Sequence, residues 1–261
     1  MESKSLRAGP SVAAVAVVVA VWAIAPARSA ADPLRTSEPD SVQTVVAGDS
    51  VVHVGQLAVG RTEKHLELVR GDSVRDYGVL VQTLARVTVD GVPGLLSVQF
   101  SPKGLFPTDS AFADPETLRP LWQRSHSARR DMRLQFDGAR VSGSYAPADS
   151  VARAINQTLP AAPFDANVGD LVVAALPLEV GRTFRVPTYI YERGGVVWES
   201  VEVRGRERYQ LGPRSLEVYV VDVRDSTGSA TYRVTTRPPR RVVETVRDLG
   251  PRGRVITRLE R

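Results

Sequence analysis

The chain has 261 residues, of which 43% are hydrophobic and 24% charged, so it can bury a sizeable core and is not a disordered polymer. Its formal charge is +5, carried almost wholly by arginine, since lysine occurs only at Lys4, Lys64 and Lys103; acidic residues are scattered among the arginines, as on solvated faces rather than a nucleic-acid interface. There is no cysteine, which excludes disulfides, thiol catalysis and lipid attachment through a lipobox.

In chain order, Lys4 and Arg7 precede an uncharged apolar run over residues 11–25, and the small-residue stretch "PARSAAD" follows. That is the order of a secretory signal peptide, expected over residues 1–31 with cleavage after Ser29 or Ala31. The run is short for a bilayer span. The expectation is an exported protein, periplasmic or extracellular, with no integral membrane span after processing. Residues 32–49 are polar, contain Pro33 and Pro39 and show no period, so they read as a flexible linker. Residues 50–261 are expected to form a single β-rich domain.

Alternation then dominates. In "GVLVQTLARVTVDG" the residues Val79, Val81, Ala85, Val87 and Val89 share one face, expected to be the inner one; Gln82, Arg86, Thr88 and Asp90 share the other. In "RRDMRLQFDGARVSGSY" Met132, Leu134 and Phe136 point inward while Asp131, Arg133 and Gln135 point out. Asp137-Gly138 is expected to supply the positive-φ pair of a tight hairpin before Val141 and Tyr145 resume the inner face. The second half predicts strands over residues 184–191, 196–209, 216–224, 230–236, 241–248 and 254–260, with turns at Gly194-Gly195, Gly212-Pro213, Thr227-Gly228, Pro238-Pro239 and Gly250-Pro251. Hairpin-linked strands of this kind build an antiparallel meander, and a sheet of so many strands curls into a barrel or half-barrel.

One stretch breaks the pattern. In "FDANVGDLVVAALPL", Val168, Leu171, Val172, Ala175 and Leu176 follow helical spacing, with Asn167 as the expected N-cap and Gly181 just beyond the end. The spacing predicts one short helix around residues 167–176. A helix this short and apolar is unstable alone and must pack on the sheet.

Candidate chemistry is sparse. Gly48-Asp49-Ser50 and Gly71-Asp72-Ser73 resemble a lipase-like nucleophile block, but such a serine needs a histidine base near the C-terminus. The histidines are His53, His65 and His126, so nothing after residue 126 can serve. Glu63, His65 and Glu67 alternate on one strand face at metal-ligand spacing, opposite Leu66 and Leu68, and read as a solvated face; no metal and no cofactor are expected. Arg237, Arg240, Arg241, Arg252, Arg254, Arg258 and Arg261 form the densest basic region. It lacks the interleaved aromatics of a nucleic-acid surface.

The segments "ADPETLRPL", "MRLQFDGARVSGSY", "FDANVGDLVVAALPLEVG", "VEVRGRERYQL" and "TYRVTTRPPRRVVETV", in this order, give the chain a resemblance to the exported bacterial family of domain of unknown function 3108, over roughly residues 50 to 261. The resemblance implies a curved antiparallel sheet with a helical segment, akin to the periplasmic lipoprotein-carrier fold, whose concave apolar face holds acyl chains. It implies no catalytic residue.

These readings converge on an all-β fold: a single curled antiparallel meander with one short helix against its inner or open side. The leading expectation for function is a non-enzymatic envelope protein that binds a lipid or other hydrophobic ligand, lined by Met132, Leu134, Phe136, Leu171, Val172, Leu176, Phe184 and Val186. The alternative is a structural or assembly module of the cell envelope with a filled core and a protein partner. A hydrolase ranks third. Pocket and core draw on the same residues, so both leading readings stay open at this point.

Overall fold

The structure, a computed structural model, describes residues 42–148, 150–226 and 228–260. The expected signal peptide over residues 1–31 and most of the expected linker lie outside the described residues.

Sixteen strands form one sheet among the described residues. β1 (Gln43–Thr44) is a stub. The first meander comprises β2 (Gly60–Arg70), β3 (Ser73–Val89), β4 (Val92–Phe100), β5 (Thr108–Ala113), β6 (Pro120–Ser127), β7 (Arg130–Asp137), β8 (Arg140–Pro147) and β9 (Arg153–Thr158), each paired with the next. A second stub, β10 (Phe164–Asp165), leads into the helix α1 (Gly169–Ala175). The second meander comprises β11 (Thr183–Ile190), β12 (Gly195–Leu211), β13 (Arg214–Asp225), β14 (Gly228–Thr235), β15 (Val242–Asp248) and β16 (Arg254–Leu259). The two halves join where β16 pairs antiparallel with β2, from Arg254 opposite Val69 to Leu259 opposite Lys64.

Accumulated twist curls this sheet without closing it. One end of the hydrogen-bonded path is β9; the other is β11, whose outer edge takes β1 and β10 as parallel stubs. Side chains span the gap. Tyr189 of β11 donates its hydroxyl to Gln157 Oε1 of β9 at 3.0 Å and stacks edge-on against Phe136 of β7, ring centroids 5.7 Å apart.

The strands expected in the second half are present within a residue or two of their expected limits. Turn chemistry explains the precision. Asp90 and Gly91 (φ 50° and 80°) form the two-residue connection between β3 and β4, the positive-φ pair that matches strand twist. The expected pair at Asp137-Gly138 is corrected: the β7–β8 connection is Gly138-Ala139, and only Gly138 (φ 55°) takes the left-handed conformation.

Two further expectations are corrected. Residues 43–47, read as the end of the linker, belong to the core: Val45 is fully buried and donates its N–H to the Arg185 carbonyl at 3.0 Å, and Ala47 donates to the Ala162 carbonyl at 3.1 Å. A two-residue strand is too short to show a period. In β3 the inner face is the even one. Gln82 and Leu84 point to the helix side and are buried, while Val81 is buried on the opposite face. Because both faces of β3 are covered there, polarity did not reveal which one is inner.

Candidate functional site

The helix is the feature around which the interior is built. Asp165 opens it: its Oδ1 accepts the Asn167 N–H at 2.9 Å, so Asp165, and not the expected Asn167, is the cap. A single 3-10 turn, Ala166–Val168, then runs into α1. Val172, Val173, Ala174, Ala175 and Leu176 are buried consecutively, so the helix end is enclosed on all sides rather than laid with one face on the sheet. Val45, Val52, Val54 and Leu57 of the N-terminal segment join the same apolar cluster as the concave face of the sheet.

The last carbonyls of a helix have no intrahelical donors and need partners. Here the chain supplies them. His53 donates its N–H to the Ala175 carbonyl at 2.8 Å, and Arg240 Nη1 donates to the carbonyls of Leu176 and Ala174 at 2.8 and 3.4 Å. A cation at a helix C-terminus also meets the negative end of the helix dipole. The Arg240 backbone pairs with Leu57 in an isolated bridge, so one residue ties the N-terminal segment, the helix and the β14–β15 connection together. At the other end of the helix Lys64 Nζ lies 2.7 Å from Asp170 Oδ2 and 3.0 Å from Gln82 Oε1.

Register places a polar row across the inner wall. Thr62, Gln82, Gln99, Asp109 and Ser125 stand directly opposite one another on β2 to β6, and directly opposed residues share a face. Gln99 donates to the Asn167 carbonyl at 2.9 Å, linking the row to the start of the helix. The row continues into Met132. Burial pushes the Asp165 carboxyl up to about 7; the Asn167 N–H opposes the shift and the Asp109 charge adds to it. Burial likewise raises the Asp109 carboxyl, against the pull of Ser125 and Arg130.

The expected ligand-lining residues fall into two groups. Val172, Leu176, Phe184 and Val186 belong to the cluster around the helix, with Leu171 partly buried at its margin. Met132, Leu134 and Phe136 belong to a second cluster with Val141, Ile155 and Tyr189. On the sheet, Gln123 and Ser125 of β6 stand between Ala111 of the first cluster and Leu134 and Met132 of the second. The eight residues therefore do not make one continuous apolar wall. The space beside the helix is a crevice of about 30 Å³ between Lys64, Gln82, Asp170, Leu171, Ala174 and Arg240. Pockets for drug-sized ligands run to roughly 300–1,000 Å³.

The remaining motifs stay apart. No hydrogen bond joins Ser50 or Ser73 to a histidine among the described residues. Glu63 pairs with Arg61 and Glu67 with Arg258, each at 2.7 Å, and no group of three potential ligands suited to a metal occurs among the described residues. The basic region is broken up as well. Arg240 is buried, and Arg258 bridges Glu67 and Glu244. Sequence reasoning placed Arg240 on the surface and Gln82 on the outer wall, and it gave no role to Asp165 or Asp109. Only the preference of Asp for helix starts, shared by Asn167, pointed toward Asp165.

No curated protein and no solved structure matches the chain. A family model described as "Protein of unknown function (DUF3108)" matches residues 74–254, from the start of β3 to the first residue of β16. That span takes in β4 to β15 whole, the helix, its cap Asp165 and its clamp Arg240, but not β2, and on this match the chain belongs to the DUF3108 family.

Proposed function

We propose that this protein is an exported, non-enzymatic module of the cell envelope whose interior is a permanent core and whose partner is another envelope protein. One observation supports the filled interior above all: Leu176, at the end of the helix, is 0% exposed, and the carbonyls around it are held by His53 and Arg240. A lid that opens for cargo belongs to the low-stability end of a structure, with few buried contacts. This helix has the opposite character. Buried polar groups at Gln82, Gln123 and Ser125 also make the inner wall a poor surface for an acyl chain.

The rival reading is a carrier that holds a lipid in the concave sheet, with Met132, Leu134, Phe136, Leu171, Val172, Leu176, Phe184 and Val186 as lining. It requires the helix to leave its place. Mass spectrometry of the folded protein recovered from the envelope separates the two and also reads the processed N-terminus. The expected result is no co-purifying lipid, no rise in melting temperature on adding a fatty acid, and a mass that places the N-terminus between residues 28 and 32. A stoichiometric lipid, with a melting temperature raised by mass action, overturns the filled-core reading.

A further inference from the structure

We propose that the free edge of β9 is an interface for a second copy of this chain, joined by antiparallel pairing of β9 with β9 about a two-fold axis through Asn156. The edge lies outside the interior, so the proposal stands apart from the filled-core reading and from its envelope partner. Register fixes which backbone groups are free. Leu159 donates its N–H to the Ala139 carbonyl at 2.7 Å, so the residues of β9 bonded to β8 are the odd ones, Arg153, Ile155 and Gln157. The N–H and C=O groups of Ala154, Asn156 and Thr158 therefore point away from β8. All three residues are exposed, and no backbone partner meets these groups among the described residues. Other edges of the sheet are guarded. On β11, β1 covers Phe184 and Arg185, β10 covers Thr188 and Tyr189, and Pro187 between them has no N–H to offer. The half of β12 beyond its pairing with β11 is bulged between Val203 and Gly205 and carries Arg204, Arg206, Glu207 and Arg208. Charges, prolines and bulges are what keep an edge from pairing, and the stretch from Ala154 to Thr158 has none of them.

The strand fits itself. A two-fold through Asn156 sets that residue opposite its own copy and Ala154 opposite Thr158 of the copy, so every outward N–H and C=O finds a partner and none overhangs. The side chains brought together on that face are small and uncharged. On the other face Arg153 falls opposite Leu159 of the copy, and the two Arg153 side chains stand roughly 20 Å apart, beyond a Debye length of about 10 Å. Val151, just before β9, is 88% exposed, more than any other large hydrophobic residue described. The same two-fold carries it toward Leu159, Pro160 and Ala161 of the copy, an apolar strip that covers it. The pairing is closed: it uses up both β9 edges and stops at a dimer. An interface built on one short strand falls below the roughly 1,200 Å² of stable complexes, so the dimer is weak, half formed at about 0.1 mM.

The test combines sedimentation equilibrium with amide hydrogen exchange on the isotopically labelled protein as recovered from cells. Between about 10 μM and 1 mM the mass is expected to rise from monomer to dimer and no further. Over the same range the amides of Ala154, Asn156 and Thr158 are expected to become protected, while those of Ile155 and Gln157, already bonded to β8, stay as they were. Asn156→Lys places like charges opposite each other at the two-fold and is expected to weaken association at least about tenfold; Asn156→Asp does the same with the opposite sign. An equimolar mixture of the two variants is expected to restore the dimer, because residue 156 meets only residue 156 of the copy. A mass that stays monomeric to about 1 mM, a dimer without the alternating protection, or a mixture no tighter than its components overturns the proposal. Protection of the three amides in a monomer carrying a co-purified peptide also overturns it, and gives the edge to a strand of another protein. If a variant fails to fold, the concentration dependence of the wild-type exchange pattern decides alone.

Discussion

Arg240 Nη1 sits 2.8 Å from the carbonyl oxygen of Leu176, a residue 64 positions earlier in the chain. The bond joins the connection between β14 and β15 to the end of the helix. The Arg240 backbone bridges to Leu57 in the N-terminal segment. Three parts of the chain far apart in sequence thus meet at one guanidinium. Its ring-stacking neighbour is Tyr219, 5.7 Å from the ring centroid. Burial away from water pushes the Arg240 pKa down, yet arginine stays charged throughout the accessible pH range.

Replacing this residue tests the clamp. Arg240→Met keeps much of the side-chain volume but leaves the Leu176 carbonyl without its donor. The expected loss is about 1–3 kcal/mol, with further loss from the packing of the aliphatic stem. Arg240→Lys is expected to restore only part of it, because an ammonium cannot reproduce the planar fork of the guanidinium. Urea denaturation of the three proteins measures the order. Equal stability of Arg240→Met and wild type would show that the clamp does not hold the helix.

The helix itself distinguishes core from lid through two leucines. Leu176 is buried completely, whereas Leu171 is partly buried beside the crevice. Leu176→Ala is expected to cost about 2–5 kcal/mol, as in tightly packed cores, and Leu171→Ala distinctly less. Denaturant melts with and without a fatty acid give the comparison. A small loss at Leu176 together with stabilisation by fatty acid would identify the helix as a lid.

Asp165 makes stability depend on pH in a direction opposite to that of a salt-bridged carboxylate. Burial raises its folded pKa to about 7 from the ordinary carboxylate value of 3.8. Between those values the folded protein keeps the proton that the unfolded chain has lost, so the native state binds more protons. Stability from this group is therefore full below about pH 4, declines up to about pH 7 and is level above that, by an amount of order 4 kcal/mol. The half-buried Asp114 acts in the opposite sense: against the upward push of burial, the Glu116 N–H and the Thr117 hydroxyl and N–H hold its carboxyl below the ordinary range. The quantity to measure is the difference between wild type and Asp165→Asn across pH 4 to 8. The variant keeps an oxygen to cap Asn167 and is expected to gain relative stability as pH rises. A difference that stays flat with pH would show that Asp165 does not hold its proton.

Sequence by itself determined the local half of this protein. Strands β11 to β16 were legible because their turns sit at Gly194, Gly212-Pro213, Pro238-Pro239 and Gly250-Pro251, and because turn residues and a two-residue period are properties of neighbouring positions. The same holds for Met132, Leu134 and Phe136, which alternate cleanly with Arg133 and Gln135. Tertiary structure decided everything that depends on what lies across the sheet. Gln82 is inside because Thr62 and Gln99 flank it in register and the helix lies over it, and no local pattern records either fact. Arg240 looked like one of many surface arginines until the helix brought its carbonyls within reach. Residues 43–47 looked like a tether because their partners are remote in sequence: Gln43 and Thr44 pair with Phe184 and Arg185 of β11, and Ala47 bonds to Ala162. A side chain's periodicity is set by its own backbone, but its burial and charge state are set by partners that only folding brings near.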